Sequence, residues 1–307
     1  MNRQHWADLA LIFATANWGL SYIFIKNAVA VLETFNLLGL RFLLSAIGLA
    51  LIFFKKLKNL DKVTRNAGII VGVSLFSAYV THTFGLQYTT ISKSSFITGF
   101  AAIIVPILSA FVFKKVPSFS TIIGVILAFI GISLLTLNGE TGWNIGDFLT
   151  LIAAFFFALQ ILLVGHYATK VDTINFTIVQ TGVIGILSIL ASFLFESPQF
   201  LPVGKDVWIS LAFLILISTI IGFIIQNVAQ KYTSPTHASL IFSSEPFFAS
   251  LFAYLLLGEV LHPKGILGGC LIVLGILTAE FNFRFDFLKF KKEPCIQQPQ
   301  NQDTPSQ

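Results

Sequence analysis

The sequence predicts an all-α membrane protein with ten transmembrane helices in two inverted five-helix repeats. Three observations carry that prediction. The first is composition: 55% of the 307 residues are hydrophobic and 11% charged, whereas a soluble domain carries about 25% charge. With 33 Phe and a mean hydropathy of +0.85, the chain holds more apolar surface than a water-soluble core absorbs. The second is length. Apolar runs of roughly 20 residues recur along nearly the whole chain, each able to cross the roughly 30 Å hydrocarbon layer as a helix. The third is duplication. The stretch from Tyr232 to Gly275 occurs twice, with Tyr88-Thr89 matching Tyr232-Thr233, Ser95 matching Ser239, Ile97 Ile241, Val116 Val260, Gly124 Gly268 and Gly131 Gly275. The offset is 144 residues throughout and needs no gap. Upstream it falls to 139, where Asp8 meets Asp147, Ala14 Ala153, Leu20 Leu159 and Arg41 Gln180. Solenoid and propeller repeats recur every 20 to 50 residues or so, so a unit this long reads as a membrane subdomain.

In the first repeat (7–137) the spans are expected at 7–29, 34–54, 67–88, 92–113 and 119–137. In the second (146–281) they are expected at 146–168, 173–195, 207–229, 236–257 and 264–281. The first span follows MNRQHWADLA, which has one Arg and no small-residue cleavage site, so it reads as a retained helix rather than a signal peptide. Pro117, Pro198, Pro202, Pro235 and Pro263 fall between spans or in first turns, where a missing backbone N–H does least harm. Gly124 and Gly131, like Gly268 and Gly275, are seven apart and share a helix face, letting the fifth and tenth spans approach neighbours closely. Gly68 and Gly72 do the same for the third. The tail, 282–307, begins basic and aromatic and turns Gln- and Pro-rich, which predicts an interfacial segment followed by disorder.

Basic residues orient the bundle, because they collect in short cytoplasmic loops. With both termini inside the cell (inner) membrane, the outer ends hold only Lys26, Lys93, Lys205 and Lys264, and Arg41 lies within the second span; every other Lys and Arg is cytoplasmic. Five spans per half is an odd number, so the second half enters the membrane the opposite way up. In secondary transporters such inverted repeats place a substrate site near mid-membrane, where the halves meet.

An ionisable side chain at the bilayer centre costs about 2.5 to 3.5 kcal/mol on insertion scales, so each one needs a reason. Glu245 stands midway along the ninth span in Ser243-Ser244-Glu245-Pro246, where Pro246 leaves the Phe242 carbonyl without its usual donor and a broken helix is expected. His82 and Gln226 are equivalent positions of the two repeats, and Arg41 and Gln180 are a second such pair. For Arg41, snorkelling or bonding to backbone carbonyls is the expected role, with contact to a carboxylate cargo the alternative. Asn17, Trp18, Ser21 and Tyr22 form a polar and aromatic stripe able to hold an amphipathic cargo. Tyr79, Gln87, Thr98 and Gln160 complete the cavity candidates. For all of these, interhelical packing is the alternative role.

Other classes find no support. Cys270 lies inside a span and Cys295 in the tail, so no disulfide frame, metal site or cofactor is indicated. H-E-x-x-H, G-x-S-x-G and G-K-[ST] motifs are missing, which argues against an intramembrane enzyme. Loops of about ten residues leave no room for a nucleotide domain within this chain. The net charge of +5 sits in those loops and serves topology, not nucleic acid. Asn175-Phe176-Thr177 matches a glycosylation sequon but falls on the cytoplasmic side.

The residues THASLIFSSEPFFASLFAYLLLGE (236–259), with Ala238, Glu245-Pro246 and Gly258-Glu259, resemble the signature of the EamA family of the drug/metabolite transporter superfamily. In the first half the resemblance rests on Asn17-Trp18-Gly19, Leu40-Arg41-Phe42, Gly85-Leu86-Gln87-Tyr88-Thr89 and Pro106, and it covers about 7–281. Two positions depart from the pattern: Lys114-Lys115 stands where an acidic residue is common, and Phe157-Ala158 where a tryptophan is frequent. The resemblance implies two EamA repeats and movement of a small neutral, zwitterionic or amphipathic metabolite, with export the expected direction. The expected partners are that small-molecule substrate and the lipid bilayer. Proton coupling through Glu245 and His82, facilitated diffusion, a passive channel and a homodimer all stay open.

Overall fold

A computed structural model of the chain describes residues 3–112, 119–136, 144–199, 204–260 and 263–280. All regular structure among them is helical. The first repeat contains α1 (Arg3–Val29), α2 (Thr34–Ile52), the short α3 (Phe54–Leu57), α4 (Lys62–Tyr88), α5 (Ile91–Gly99), α6 (Ala101–Val112) and α7 (Phe119–Thr136). The second contains α8 (Ile145–Tyr167), α9 (Thr173–Phe195), α10 (Lys205–Phe213), a π-helical stretch (Leu214–Ile221), α11 (Gly222–Ala229), α12 (Pro235–Phe242), α13 (Glu245–Leu257) and α14 (Pro263–Glu280).

Eight helical stretches are long and apolar enough to cross a membrane, and the apolar segments of α7 and α14 are shorter, Ile122–Gly131 and Pro263–Gly275. The span 173–195 matches α9 residue for residue, and most other ends agree within a turn. Two spans expected to be continuous are not, and a third is interrupted where a break was expected. The fourth breaks at Phe100, the eighth carries the π stretch, and the ninth breaks at Ser243-Ser244, as Pro246 required. The breaks at Phe100 and Ser244 are 144 residues apart, the offset of the sequence repeat. Phe113, Lys114-Lys115, Leu137, Phe281 and the tail lie outside the described residues.

Helix starts follow capping chemistry, because the first N–H groups of a helix have no partner within it. Asp61, Thr90, Asp172 and Ser234 each accept a hydrogen bond from a backbone N–H three residues on, and Asn144 with Asp147 forms a reciprocal capping box. Two starts are capped by carboxylates from the other repeat. Glu196, at the end of α9, accepts from the N–H groups of Phe35 and Asn36 at 2.9 Å each, at the start of α2. Glu259 accepts from those of Ile91 at 3.2 Å and Ser92 at 2.9 Å, at the start of α5. Gly258 makes this reach possible: its φ of 67°, a left-handed turn that a side chain resists, ends α13 and turns the chain toward α5.

Packing joins the repeats. α2 lies along α9, α4 along α8 and α9, α7 along α14, and α1 touches α10, α11, α12 and α13. The α7–α14 pair is drawn together by the glycines read from sequence: a Cβ on Gly131 would stand 2.6 Å from the Gly268 carbonyl oxygen, and one on Gly275 2.6 Å from that of Gly124. On the face that holds the starts of α2 and α5, Lys93 pairs with the buried Asp147 at 2.7 Å, and Thr89 donates to the same carboxylate at 3.0 Å. On the opposite face His237 meets Asp8 at 3.2 Å, and Asn175 donates to the Lys56 carbonyl at 2.9 Å.

Candidate functional site

Elements of both repeats enclose a cavity of about 80 Å³. Its wall repeats one local pattern, a large ring and a polar or second aromatic side chain one helical turn apart: Trp18, Ser21 and Tyr22 on α1, Tyr79 and His82 on α4, Phe157 and Gln160 on α8, Phe223 and Gln226 on α11. Residues three or four apart share a helix face, so each helix presents both kinds of group to the same space. The two helix breaks close the remaining side. Thr98 and Gly99 come from the α5–α6 break, Ser243 and Glu245 from the α12–α13 break. The breaks touch each other: a Cβ on Gly99 would lie 3.0 Å from Cγ of Pro246.

The rings form one continuous wall. Phe242 lies 5.5 Å from Trp18, Trp18 6.2 Å from Phe223, Phe223 6.3 Å from Tyr79 and Tyr79 5.3 Å from Phe157, centroid to centroid. His82 extends it to Tyr22, at 5.9 Å from Phe157 and 5.0 Å from Tyr22. Most contacts are tilted or edge-to-face, the arrangements that the ring quadrupole favours. Trp18 is held in place by its indole N–H, which donates to the Ser218 carbonyl at 2.9 Å within the π stretch. The start of α11 packs close to the ring as well, since a Cβ on Gly222 would stand 2.7 Å from Trp18 Nε1.

Several polar groups in this wall have no partner. Tyr22 Oη, both His82 ring nitrogens and Gln160 Nε2 are buried without a hydrogen bond, while Gln226 donates to Gln160 Oε1 at 3.2 Å. Leaving a buried donor or acceptor unpaired costs about 1 to 3 kcal/mol, so several around one cavity mark a surface able to bond something that enters it. Ser21 and Thr98 donate their hydroxyl protons to carbonyls of their own helices, Trp18 and Ser94, which leaves oxygen lone pairs as acceptors. Glu245 opens α13 and is half-buried at the cavity edge; none of the ion pairs among the described residues involves it.

Trp18, Ser21, Tyr22, Tyr79, His82, Thr98, Gln160, Gln226, Ser243 and Glu245, all named from sequence, line this cavity. Four others lie elsewhere. Asn17 points along its own helix and donates to the Phe13 carbonyl at 2.8 Å. Gln180 is fully buried outside the lining, with neither amide atom bonded. Arg41 neither snorkels nor bonds a backbone carbonyl. It is 1% exposed, Nε donates to Thr219 Oγ1 at 2.8 Å and Nη2 to Ser218 Oγ at 2.9 Å, and the guanidinium lies against the faces of Phe42 and Tyr79 at 4.8 and 5.0 Å. The physical reason is local supply: two adjacent hydroxyls on the π stretch and two ring faces solvate the cation within the bundle. Gln87 also lies apart, donating to Thr34 Oγ1 at 2.7 Å. Sequence reading missed Phe157, Phe223 and Phe242 as lining and Ser218 and Thr219 as the Arg41 seat. The signals were there: Phe157 and Phe223 precede Gln160 and Gln226 by one turn, and Ser218-Thr219 interrupts an aliphatic run.

Comparison with known proteins agrees with this architecture. A model of the EamA-like transporter family matches residues 5–137 and 144–280. An uncharacterized transporter of Archaeoglobus fulgidus is 32% identical over 275 residues, covering 90% of this chain and 86% of that one. An S-adenosylmethionine/S-adenosylhomocysteine transporter of Chlamydia muridarum is 27% identical, with 86% and 89% covered. A probable amino-acid metabolite efflux pump of Salmonella typhimurium is 26% identical, with 90% and 95% covered. A crystal structure with 17% sequence identity superposes with a TM-score of 0.68 over 89% of this chain and 96% of the other, which shows the fold.

The Arg41 seat makes a direct prediction. A hydrogen bond to a charged group contributes about 1.5 to 3 kcal/mol, so Thr219→Val lowers stability in detergent by an amount of that order. In an Arg41→Met background the same change costs markedly less, because the cation that needs the hydroxyl is gone. Thermal unfolding of the four proteins of this cycle checks both, and equal losses in the two backgrounds would show that Thr219 does not serve Arg41.

Proposed function

The chain belongs to the EamA-like transporter family, and on that premise we propose that it moves a small neutral, zwitterionic or amphipathic metabolite across the cell inner membrane by alternating access. The observation that carries this reading is the cavity bounded by two touching helix breaks, 144 residues apart in sequence. Interrupted helices at the repeat interface are how many transporters expose backbone polar groups to cargo within the membrane. Relatives named as carriers of S-adenosylmethionine and of amino-acid metabolites support a polar metabolite as cargo, and the efflux relative supports export as the direction.

The proposed frame is ten spans in two inverted repeats. α7 and α14, at 18 residues each, rise about 27 Å, close to the roughly 30 Å of hydrocarbon. Paired with each other they serve as the fifth span of each half. Both termini then face the cytoplasm, where the basic loops also lie.

In the cycle, the ring wall holds the apolar part of the cargo while His82, Gln160 and Tyr22 orient its polar end. A metabolite needs more room than this state offers: small-molecule pockets usually measure about 300 to 1,000 Å³, against about 80 Å³ here. Opening therefore parts the inter-repeat contacts of one face, Lys93–Asp147 and the Glu196 and Glu259 caps on one side or His237–Asp8 and Asn175–Lys56 on the other, while the opposite set holds. Coupling to protons is assigned to Glu245, the one carboxyl group in the lining.

Three measurements test this reading. Purified protein in liposomes should show counterflow of at least one amino acid, amine or nucleoside above empty vesicles. Ser21→Trp, which fills the cavity, should abolish counterflow while the protein remains monodisperse, and flux that neither saturates nor shows counterflow would mark a passive channel instead. An imposed pH gradient should drive uptake by the wild type and not by Glu245→Gln; an unchanged gradient response in the variant rules Glu245 out as the coupling group. Tags at the two ends should both be protected from protease added outside intact cells, and opposite accessibility would refute the even span count.

A further inference from the structure

We propose that the cavity selects an organic cation, a small primary amine or quaternary ammonium compound carrying a flat apolar body. This rests on the reading of the cavity as a transport site and narrows its neutral, zwitterionic and amphipathic classes to amphipathic cations.

The inference starts from the charges a bound molecule would meet. Among the lining residues Glu245 is the single carboxyl group, and neither lysine nor arginine lines the cavity. Glu245 makes no ion pair with a described residue, and the side chain beside it, Tyr22, is neutral, so an entering cation displaces no countercharge. Charges buried from water need pairing, and here an entering cation is the group that supplies it. Arg41 of α2, whose guanidinium lies against the Tyr79 ring, is not among the lining residues and directs Nε to Thr219 and Nη2 to Ser218. At 1% exposure it offers no fork to a ligand carboxylate. His82 is the remaining lining group of possible positive charge, and it is edge-on to Tyr22 and Phe157 with 3% exposure.

The wall adds to this preference. The faces of aromatic rings carry negative potential and attract cations, tryptophan most strongly. Trp18, Tyr79, Phe157, Phe223 and Phe242 line the same cavity as Glu245. An anion meets the same faces unfavourably and finds no cation to offset them. A neutral molecule gains the apolar contact but not the charge pairing. Of three isosteric ligands that differ only in charge, the site therefore ranks the amine first and the carboxylate last. The unpaired acceptors and donors of Tyr22 and His82 can take the N–H groups of a primary amine, which a quaternary nitrogen replaces by contact with the rings.

The test is binding by the purified full-length protein, measured by calorimetry with five single-ring probes: phenethylamine, phenyltrimethylammonium, 2-phenylethanol, phenylacetate and phenylalanine. Phenethylamine and phenyltrimethylammonium should bind about tenfold or more tightly than 2-phenylethanol, phenylacetate should bind more weakly still, and Glu245→Gln should collapse the differences. Trp18→Leu, a second variant that leaves Glu245 in place, should weaken phenyltrimethylammonium more than 2-phenylethanol. Tighter binding of phenylacetate or phenylalanine than of phenethylamine overturns the proposal, as does a panel in which no amine exceeds its uncharged analogue. Uptake of the same probes into proteoliposomes separates the two readings. An amine bound with the expected ratios but not moved counts against transport and leaves the charge preference standing. Phenylalanine that moves while the amines neither bind nor move supports transport and ends the cation assignment.

Discussion

Backbone amides inside a bilayer have no water to bond, so each must find its partner within the protein, and that constraint organises the rest of this structure. Helices satisfy it along their length and fail at every end and interruption. The chain interrupts its helices where side chains or a cavity can take over. The breaks at Phe100 and Ser243-Ser244 face the cavity, and the π stretch from Leu214 to Ile221 gives one of its carbonyls to the Trp18 indole. At two helix starts the exposed N–H groups are met by carboxylates, Glu196 and Glu259, that belong to the other repeat. The same bonds that complete a helix therefore also hold the halves together, so a motion that separates the halves must undo helix caps rather than only apolar contacts.

The same scarcity of water explains how charge is distributed. Asp147 is buried but meets Lys93, Thr89 and the start of its own helix. Arg41 is buried but lies between two hydroxyls and two ring faces. Glu245 is the exception among these three, since its surroundings are the cavity and its aromatic wall. Contrast within one bundle is what makes Glu245 informative: the fold pairs or hydrogen-bonds the other two charges, while this one lines the cavity beside Tyr22 with no ion pair among the described residues.

A TM-score of 0.68 at 17% identity to a solved structure shows how far the helical frame tolerates sequence change. The frame and the cavity lining rest on different residues here. Close approach depends on glycines such as Gly131 and Gly275, which sit between α7 and α14 and away from the cavity. The cavity depends on ring and amide pairs one turn apart on α1, α4, α8 and α11. Substitution within those pairs alters the lining while leaving the glycine contacts of α7 and α14 in place, and one fold can in this way host many sites.

Much of this was legible in the linear chain because it depends on local sums. Transfer energies over a window of residues mark helices that must be shielded from water, and the span expected at 173–195 coincides with α9. The duplication was visible as matched letters, and Pro246 announced the break before α13 because proline removes a particular backbone donor. Ten polar or aromatic positions that line the cavity could be named because such groups are costly in hydrocarbon wherever they point. Direction was beyond reach. Whether Asn17 turns to its own helix while Trp18 turns inward, whether Arg41 finds an interface or the Ser218-Thr219 seat, and whether Phe157 meets lipid or Tyr79 are settled by neighbours distant in the chain. Sequence alone determined which groups needed an explanation; tertiary structure decided which of them face one another, because side-chain burial is a property of packed surfaces and not of any single helix.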